Sequence, residues 1–173
     1  MPVFLSRMIR ASRLDPALYE EVEADSGAFR QAVAVVVLSS IAAGIGVVQK
    51  AGASGILAGA LSALISWLVW SYIIFIIGGR LLPEPQTSTD YGELLRTIGF
   101  ASAPGLIRVL GVIPGFAGFI FLLASIWMVA AMVVGVRQAL DYKSTLRAVA
   151  VCVAGWIVQA VILGIILYFA GRM

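Results

Sequence analysis

Hydrophobic residues fill five long segments of the chain, and each segment lacks charged side chains. A helix needs about 20 residues to cross the roughly 30 Å hydrocarbon core of a bilayer. Four of the uncharged runs are long enough to cross alone, and the third is shorter. This pattern predicts an all-α, polytopic membrane helix bundle. The uncharged runs are residues 31–49, 51–79, 97–107, 109–136 and 148–171.

Turn and capping signals predict where the helices begin and end. Proline cannot continue a helix, so Pro83 must end the second one. Asp90 followed by Glu93 has the spacing of a capping box, which predicts the start of the third. The small residues 51–55 predict a turn between the first two helices. We expect a helical head at residues 1–28 and a transmembrane domain at 29–173, with spans at about 29–49, 56–79, 91–110, 116–137 and 145–170.

The third helix has two interpretations. If it spans, Arg96 and Arg108 lie towards its two ends, and both can extend their guanidinium groups to the membrane interfaces. Otherwise residues 97–107 form a re-entrant segment, and the chain has four spans.

Lysine and arginine positions predict a cytosolic N-terminus in both interpretations. Five spans place nine of these residues in the cytosol and three outside, whereas four spans place eight and four. The five-span arrangement is therefore favoured, with the C-terminus outside. Its cytosolic residues are Arg7, Arg10, Arg13, Arg30, Arg80, Arg96, Arg137, Lys143 and Arg147, and its outside residues are Lys50, Arg108 and Arg172.

The head is predicted to contain a basic amphipathic helix. At helical spacing its apolar residues fall on one face, and Arg7, Arg10 and Arg13 fall on the other. This pattern is typical of a helix that lies on an anionic leaflet. A second short helix is expected after Asp15 and Pro16. The arginines either set the topology only, or they bind lipids or a partner.

Composition excludes several classes of protein. Hydrophobic residues make up 61% of the chain, charged residues make up 12%, and the mean hydropathy is +1.03. These values argue against a soluble domain and against a nucleic-acid-binding protein. There is no histidine, and Cys152 is the one cysteine, so a Cys/His zinc site and a Ser-His-Asp triad are excluded. We predict no catalytic residue, no metal site and no cofactor.

The third helix holds the charged residues that are expected at membrane depth. Glu93 and Arg96 are three residues apart and can pair on one face. They form either a structural pair near the interface or part of a functional site. Pro104 predicts a kink, which serves either packing or a substrate site of the kind that broken helices line in transporters. The intramembrane candidates are Glu93, Arg96, Pro104 and Arg108.

Small residues at helical spacing predict close packing, within the chain or between copies. The candidates for such packing are Gly55, Gly59, Gly99 and Gly135. Gln159, a single amide in the middle of the fifth span, is expected to form an interhelical hydrogen bond.

Three stretches of the chain resemble the Yip1 family of small polytopic membrane proteins. In residues 91–104, Gly99-Phe100 followed by Pro104 is similar to the Gly-Tyr-x-x-x-Pro of the family's third span. Residues 126–140 resemble the fourth span and following loop of the short prokaryotic-type members, and residues 14–21 resemble their head. The resemblance implies five spans, a cytosolic N-terminus and a prokaryotic inner or plasma membrane.

The lack of catalytic groups, the amphipathic head and the resemblance together favour a non-enzymatic protein that organises membrane or binds partners or lipids, as a homo- or hetero-oligomer. Eukaryotic members act in vesicle trafficking between ER and Golgi and bind Rab GTPases. The Asp-Leu-Tyr-Gly-Pro motif that precedes their first span is absent, and Asp90-Tyr91-Gly92 is a partial match before the third. Rab-type GTPase binding is therefore not supported. The alternative function is a small oligomeric transporter or channel subunit that uses the kinked third helix.

Overall fold

The computed structural model describes residues 3–170, without the side chains of 49–54, 166, 167 and 170. In this part of the chain all regular structure is helical. The elements are α1 (Val3–Ser12), α2 (Pro16–Ala24), α3 (Ala28–Gly46), α4 (Val48–Ile74), a π-helical segment (Phe75–Leu81), α5 (Tyr91–Phe100), a 3-10 segment (Ala103–Val112), α6 (Ala117–Ala139) and α7 (Thr145–Ala170).

Five helical stretches are long and apolar enough to cross a membrane, which confirms the predicted fold class. In an 18-residue stretch of the third span, which consists of α5 and the 3-10 segment, 61% of the residues are buried, whereas the corresponding share in each other span is at most 33%. The third span therefore forms the centre of the bundle. The spans are Ala28–Gly46, Gly55–Leu81, Tyr91–Val112, Ala117–Ala139 and Thr145–Ile165.

Two groups of contacts, each between segments that are distant in sequence, mark the two ends of the bundle. At the head end, Gln138 donates to Glu20 (2.7 Å) and Gln86 donates to the Asp141 carbonyl (2.9 Å). At the far end, a Cβ added to Gly111 would lie 3.0 Å from the carbonyl oxygen of Gly46. The third span runs from one end of the bundle to the other, as the five-span arrangement requires.

The third span changes its helical form in the middle. The α-helix ends at Phe100, and a 3-10 helix starts at Ala103 with Pro104 in its first turn. Proline lacks an N–H and cannot complete the α-helical hydrogen-bond ladder, which explains the change. The α-helix is thus interrupted just before Pro104, the residue at which the sequence predicts a kink.

The turn between the first two spans lies earlier than predicted. It is made at Val47, which has φ −122° and ψ 14°, and α4 already begins at Val48. Residues 51–55, predicted to form this turn, are helical. Gly44 explains the sharp reversal, because a Cβ there would lie 2.9 Å from Cγ1 of Ile56. Two other predicted boundaries are confirmed: the second span ends at Leu81, and Asp90 and Glu93 form a capping box.

The two head helices form an antiparallel hairpin that packs on the bundle. Arg7 pairs with Asp25 at one end of the hairpin (2.9 Å), and Arg10 pairs with Asp15 at the other (2.7 Å). Leu18, Tyr19 and Val22 of α2 are fully buried. Hydrophobic burial of this kind makes the head a fixed part of the bundle.

Candidate functional site

A cavity of about 510 Å³ lies inside the bundle beside the break in the third span. Its volume falls within the range of small-molecule sites. Apolar walls come mainly from α3, α4 and α6, and polar groups come from α3, α4, the third span and α7. The polar lining includes Ser39, Ser40, Ser66, Ser102, Arg108 and Gln159, and the apolar lining includes Val36, Ile98, Phe121, Met128 and Met132.

Arg108 is the charged residue among those that line this cavity. Its Nη2 donates to the hydroxyl of Ser125 (3.1 Å), and its Cζ lies 5.5 Å from the centre of the Phe121 ring. Its Nε is buried and has no hydrogen-bond partner in the described part of the chain. A cation at membrane depth with one donor unused favours an anionic group beside it.

Other polar atoms at the cavity also lack partners. Trp70 is 4% exposed, and its Nε1 has no partner among the described residues. Trp67, one helical turn away, donates its Nε1 to the Leu95 carbonyl (3.1 Å). Gln159 forms no interhelical hydrogen bond within the described residues, so that prediction is wrong. Because an unsatisfied polar group is costly inside a membrane, the cavity favours an occupant that can accept hydrogen bonds.

Two of the four glycines predicted to pack help to form this cavity. Gly55 and Gly59 line its wall, and a Cβ added to Gly59 would meet nothing within 4 Å. Packing of Gly59 within the chain is therefore not found, and contact between copies stays a prediction. The other two lie at close helix contacts. A Cβ added to Gly99 would lie 2.7 Å from Cβ of Ala32, and a Cβ added to Gly135 would lie 3.2 Å from the ring of Tyr19.

Glu93 and Arg96 do not pair, so the predicted ion pair is wrong. Glu93 instead accepts the backbone N–H of Asp90 in the capping box (2.7 Å). Nε of Arg96 donates to the carbonyl oxygens of Val22 (3.0 Å) and Glu23 (3.1 Å). Those carbonyls end α2, where the helix dipole favours a cation. Both side chains thus stabilise helix ends, and of the four intramembrane candidates Arg108 lines the cavity.

The head arginines differ in what they contact. Arg7, 8% exposed, pairs with Glu21 and Asp25, and Arg10 pairs with Asp15 and Glu21. At Arg7 and Arg10 the predicted arginine face of α1 is covered by Glu21 of α2 and by Asp15 and Asp25 at the two ends of α2. Hydrogen bonds from Arg10 and Arg7 lower the pKa of Glu21.

Arg13 alone of the three keeps an exposed side chain, and it has no ion-pair partner in the described structure. Its availability to lipid headgroups stays a prediction.

Glu23 lies in an acidic environment at the head end. Burial, together with the nearby carboxylates of Glu93, Asp141 and Glu20, raises the pKa of Glu23 to about 7. Arg96 acts in the opposite direction and offsets part of this effect. The head end thus contains a carboxyl group that changes charge near neutral pH.

Helix α1 lies along the side of the membrane-spanning helices. Nε1 of Trp127, the eleventh of 23 residues in α6, donates to the Ser12 carbonyl (2.7 Å). Beside this bond, residues from α1, Leu106 and Trp127 surround a mostly apolar groove of about 300 Å³. On the outer side of α1, Val3 is 63% exposed and Leu5 is 41% exposed. These apolar side chains are not covered by any other part of the described structure to that extent.

Sequence reasoning missed the cavity, although part of its lining has a signal. Ser39, Ser40, Ser66 and Ser102 lie near the middle of apolar spans, where a hydroxyl group needs a hydrogen-bond partner. Periodicity within each helix could not show that these residues face the same space. Their meeting depends on the break at Pro104 and on the small residues of α4.

Comparison with known proteins gives one match. A family model described as the Yip1 domain matches residues 15–169. No curated protein and no solved structure matches the chain. The matched region starts just before α2, so it takes in the second head helix as well as the five spans.

Proposed function

The chain belongs to the Yip1 family, and from this premise we propose that it is a non-enzymatic, multi-pass membrane-organising protein. The N-terminus is cytosolic, the C-terminus lies outside, and the protein acts in a prokaryotic inner or plasma membrane. The head hairpin occupies space in the cytosolic leaflet, beside the third span and α6. Eukaryotic members of the family act in vesicle trafficking, and this chain would likewise act on the shape of the membrane or on partners within it.

The observation that carries this proposal is the hydrogen bond between Trp127 and Ser12. It ties the tip of the hairpin to the middle of α6, and Val3 and Leu5 remain exposed on the outer side of α1. The hairpin widens the bundle at the head end alone. Apolar helices that insert into one leaflet bind curved membranes preferentially.

The proposal is tested by partitioning the full chain between vesicles of different diameter in one reconstitution. We expect the wild type to be enriched in the smaller vesicles. Arg96→Ala, which loosens α2, should reduce this enrichment. Arg30→Gln is the matched control, because Arg30 is exposed and lies on α3. Equal partitioning of wild type and Arg96→Ala would exclude a role of the head in membrane shape.

Partner binding is proposed for the head end as well. A polar cavity of about 490 Å³ lies between α2, the 82–90 connection and the turn after α6. It is lined by Glu20, Gln86 and Asp141 from those three parts. A photo-crosslinking residue at position 86 should give one product of defined mass that Arg96→Ala removes. The same residue at the lipid-facing position 122 should not give it.

The intramembrane cavity favours a second candidate, a small oligomeric transporter or channel subunit. Arg108 lines that cavity, whereas Arg96 does not. A flux measurement in proteoliposomes that gives equal rates for wild type and Arg108→Gln would count against transport.

A further inference from the structure

We propose that the intramembrane cavity binds one anionic phospholipid, with its phosphate at Arg108 and an acyl chain along the apolar wall. This inference goes beyond the membrane-organising role and does not depend on it.

The charge of the cavity selects an anion. Among the residues that the structure describes, Arg108 lines the cavity and no acidic residue does so. One guanidinium edge is occupied by Ser125, while Nε is buried without a partner in the described chain. A phosphate oxygen at this edge would accept the unused donor and neutralise the cation. Charge-assisted hydrogen bonds of this kind are roughly twice as strong as neutral ones.

The direction of the cavity selects a lipid rather than a small soluble anion. The cavity extends from Gly44 and Val47 at the far end to Met128 and Trp156, near the middle of α6 and α7. Arg108 belongs to the 3-10 segment, which ends at the far end. A lipid bound here would have its phosphate near one membrane surface and its acyl chain directed towards the midplane, as lipids of that leaflet do.

The walls suit a flexible chain and a polar linkage. Met128 and Met132 have adaptable side chains that fill irregular space. Ser39 lines the cavity at 4% exposure, and Nε1 of Trp70 has no hydrogen-bond partner within the described residues. Both can donate to ester oxygens of a bound lipid. The missing side chain at Gly59 leaves open the space that the chain would enter.

Tryptophan fluorescence gives a direct measurement, because Trp67, Trp70 and Trp156 line the cavity. The full chain is placed in phosphatidylcholine nanodiscs that contain increasing fractions of phosphatidylglycerol with brominated acyl chains. Bromine quenches the indole fluorescence on contact. We expect quenching by the brominated phosphatidylglycerol to reach a plateau as its fraction rises. Brominated phosphatidylcholine, added in the same way, should quench only in proportion to its amount over the same range.

Two variants separate the contribution of the charge on Arg108 from that of the open space beside Gly59. Arg108→Gln should raise the half-saturating fraction of the anionic lipid about tenfold, which corresponds to about 1.4 kcal/mol. Gly59→Leu should abolish saturable quenching by filling the cavity. Gly164→Leu is the matched control, since a Cβ at Gly164 also meets nothing within 4 Å and Gly164 does not line the cavity. It should behave as the wild type.

Three outcomes would overturn the proposal. Equal quenching of the wild type by the two brominated lipids would show no preference for the anion. An unchanged curve for a folded Gly59→Leu would place the quenching outside the cavity. Displacement of the brominated lipid by water-soluble glycerol phosphate at matched concentration would identify a free phosphate as the ligand.

Discussion

Nε of Arg96 in the third span lies 3.1 Å from the carbonyl oxygen of Glu23, at the C-terminal end of the second head helix. This contact joins the central helix of the bundle to the head across 73 residues of sequence. It also places a positive charge where the dipole of α2 is negative. The docking of the head should therefore depend on Arg96.

Replacing Arg96 with alanine should free α2 from the bundle. Loss of hydrogen bonds from a charged donor is expected to cost about 2 kcal/mol. Hydrogen exchange of the α2 amides should rise while that of α6 stays unchanged. Arg30→Gln, the control described above, should leave both rates unaltered. If hydrogen exchange in α2 is as slow in Arg96→Ala as in the wild type, the burial of Tyr19 and its neighbours is sufficient to keep α2 on the bundle.

Glu23 should make stability depend on pH between about 4.5 and about 7. Its pKa is about 7 in the folded protein, above the ordinary value of 4.5, so the folded state binds more protons in this range. Stability is therefore expected to fall as the pH rises through this window. Glu23→Gln should flatten this part of the profile and raise the melting temperature above pH 7.

The measurement for Glu23 is the thermal midpoint from pH 5 to pH 8. Glu84→Gln is a suitable control, because Glu84 is not among the groups that shift the pKa of Glu23. A slope that persists in Glu23→Gln would mean that another group titrates.

Gly99→Ala should destabilise the bundle by about 1–3 kcal/mol, the usual effect of overpacking. The new Cβ would lie 2.7 Å from Cβ of Ala32, so α3 and α5 would have to separate. Ala32→Gly should restore part of the stability in the double variant. Gly164→Ala, with open space around it, should not lower the unfolding midpoint. Additive effects of the Gly99 and Ala32 replacements would contradict direct contact.

Arg7→Gln should change the stability of the head, whereas Arg13→Gln should change binding to anionic membranes. Arg7 is buried in ion pairs with Glu21 and Asp25, so its replacement should lower head stability by about 2 kcal/mol. Arg13 is exposed, so its replacement should leave unfolding unchanged. It should reduce binding of the full chain, in detergent micelles, to anionic liposomes. Equal effects of the two replacements on unfolding would refute the assigned ion pairs.

Cysteine labelling tests the proposed orientation. In a Cys152→Ser background, single cysteines at positions 86 and 142 should label from the cytosolic side. A cysteine at position 114 should label from the outside. Labelling of all three from one side would contradict the five-span crossing, and the reverse pattern would contradict the cytosolic N-terminus.

The sequence predicted the elements well because the signals are local. Charge spacing identified the five spans, Asp90 and Glu93 identified a capping box, and Pro104 identified the break. The position of the first turn was wrong, because Val47 carries no turn signal and the reversal depends on contact between Gly44 and Ile56. The head arginines were assigned to the surface because helical periodicity shows which residues share a face but not what covers it.

The 3-10 form of residues 103–112 changes the length of the third span. A 3-10 helix rises about 2.0 Å per residue, whereas an α-helix rises about 1.5 Å. Ten residues in this form are about 5 Å longer than ten residues of α-helix, so the 22-residue third span reaches further across the roughly 30 Å core than an α-helix of the same length would. Each residue that passes between the two forms changes the length by about 0.5 Å. Exchange between the two forms would therefore alter the hydrophobic length of the central span, which is the quantity that must match the thickness of the bilayer.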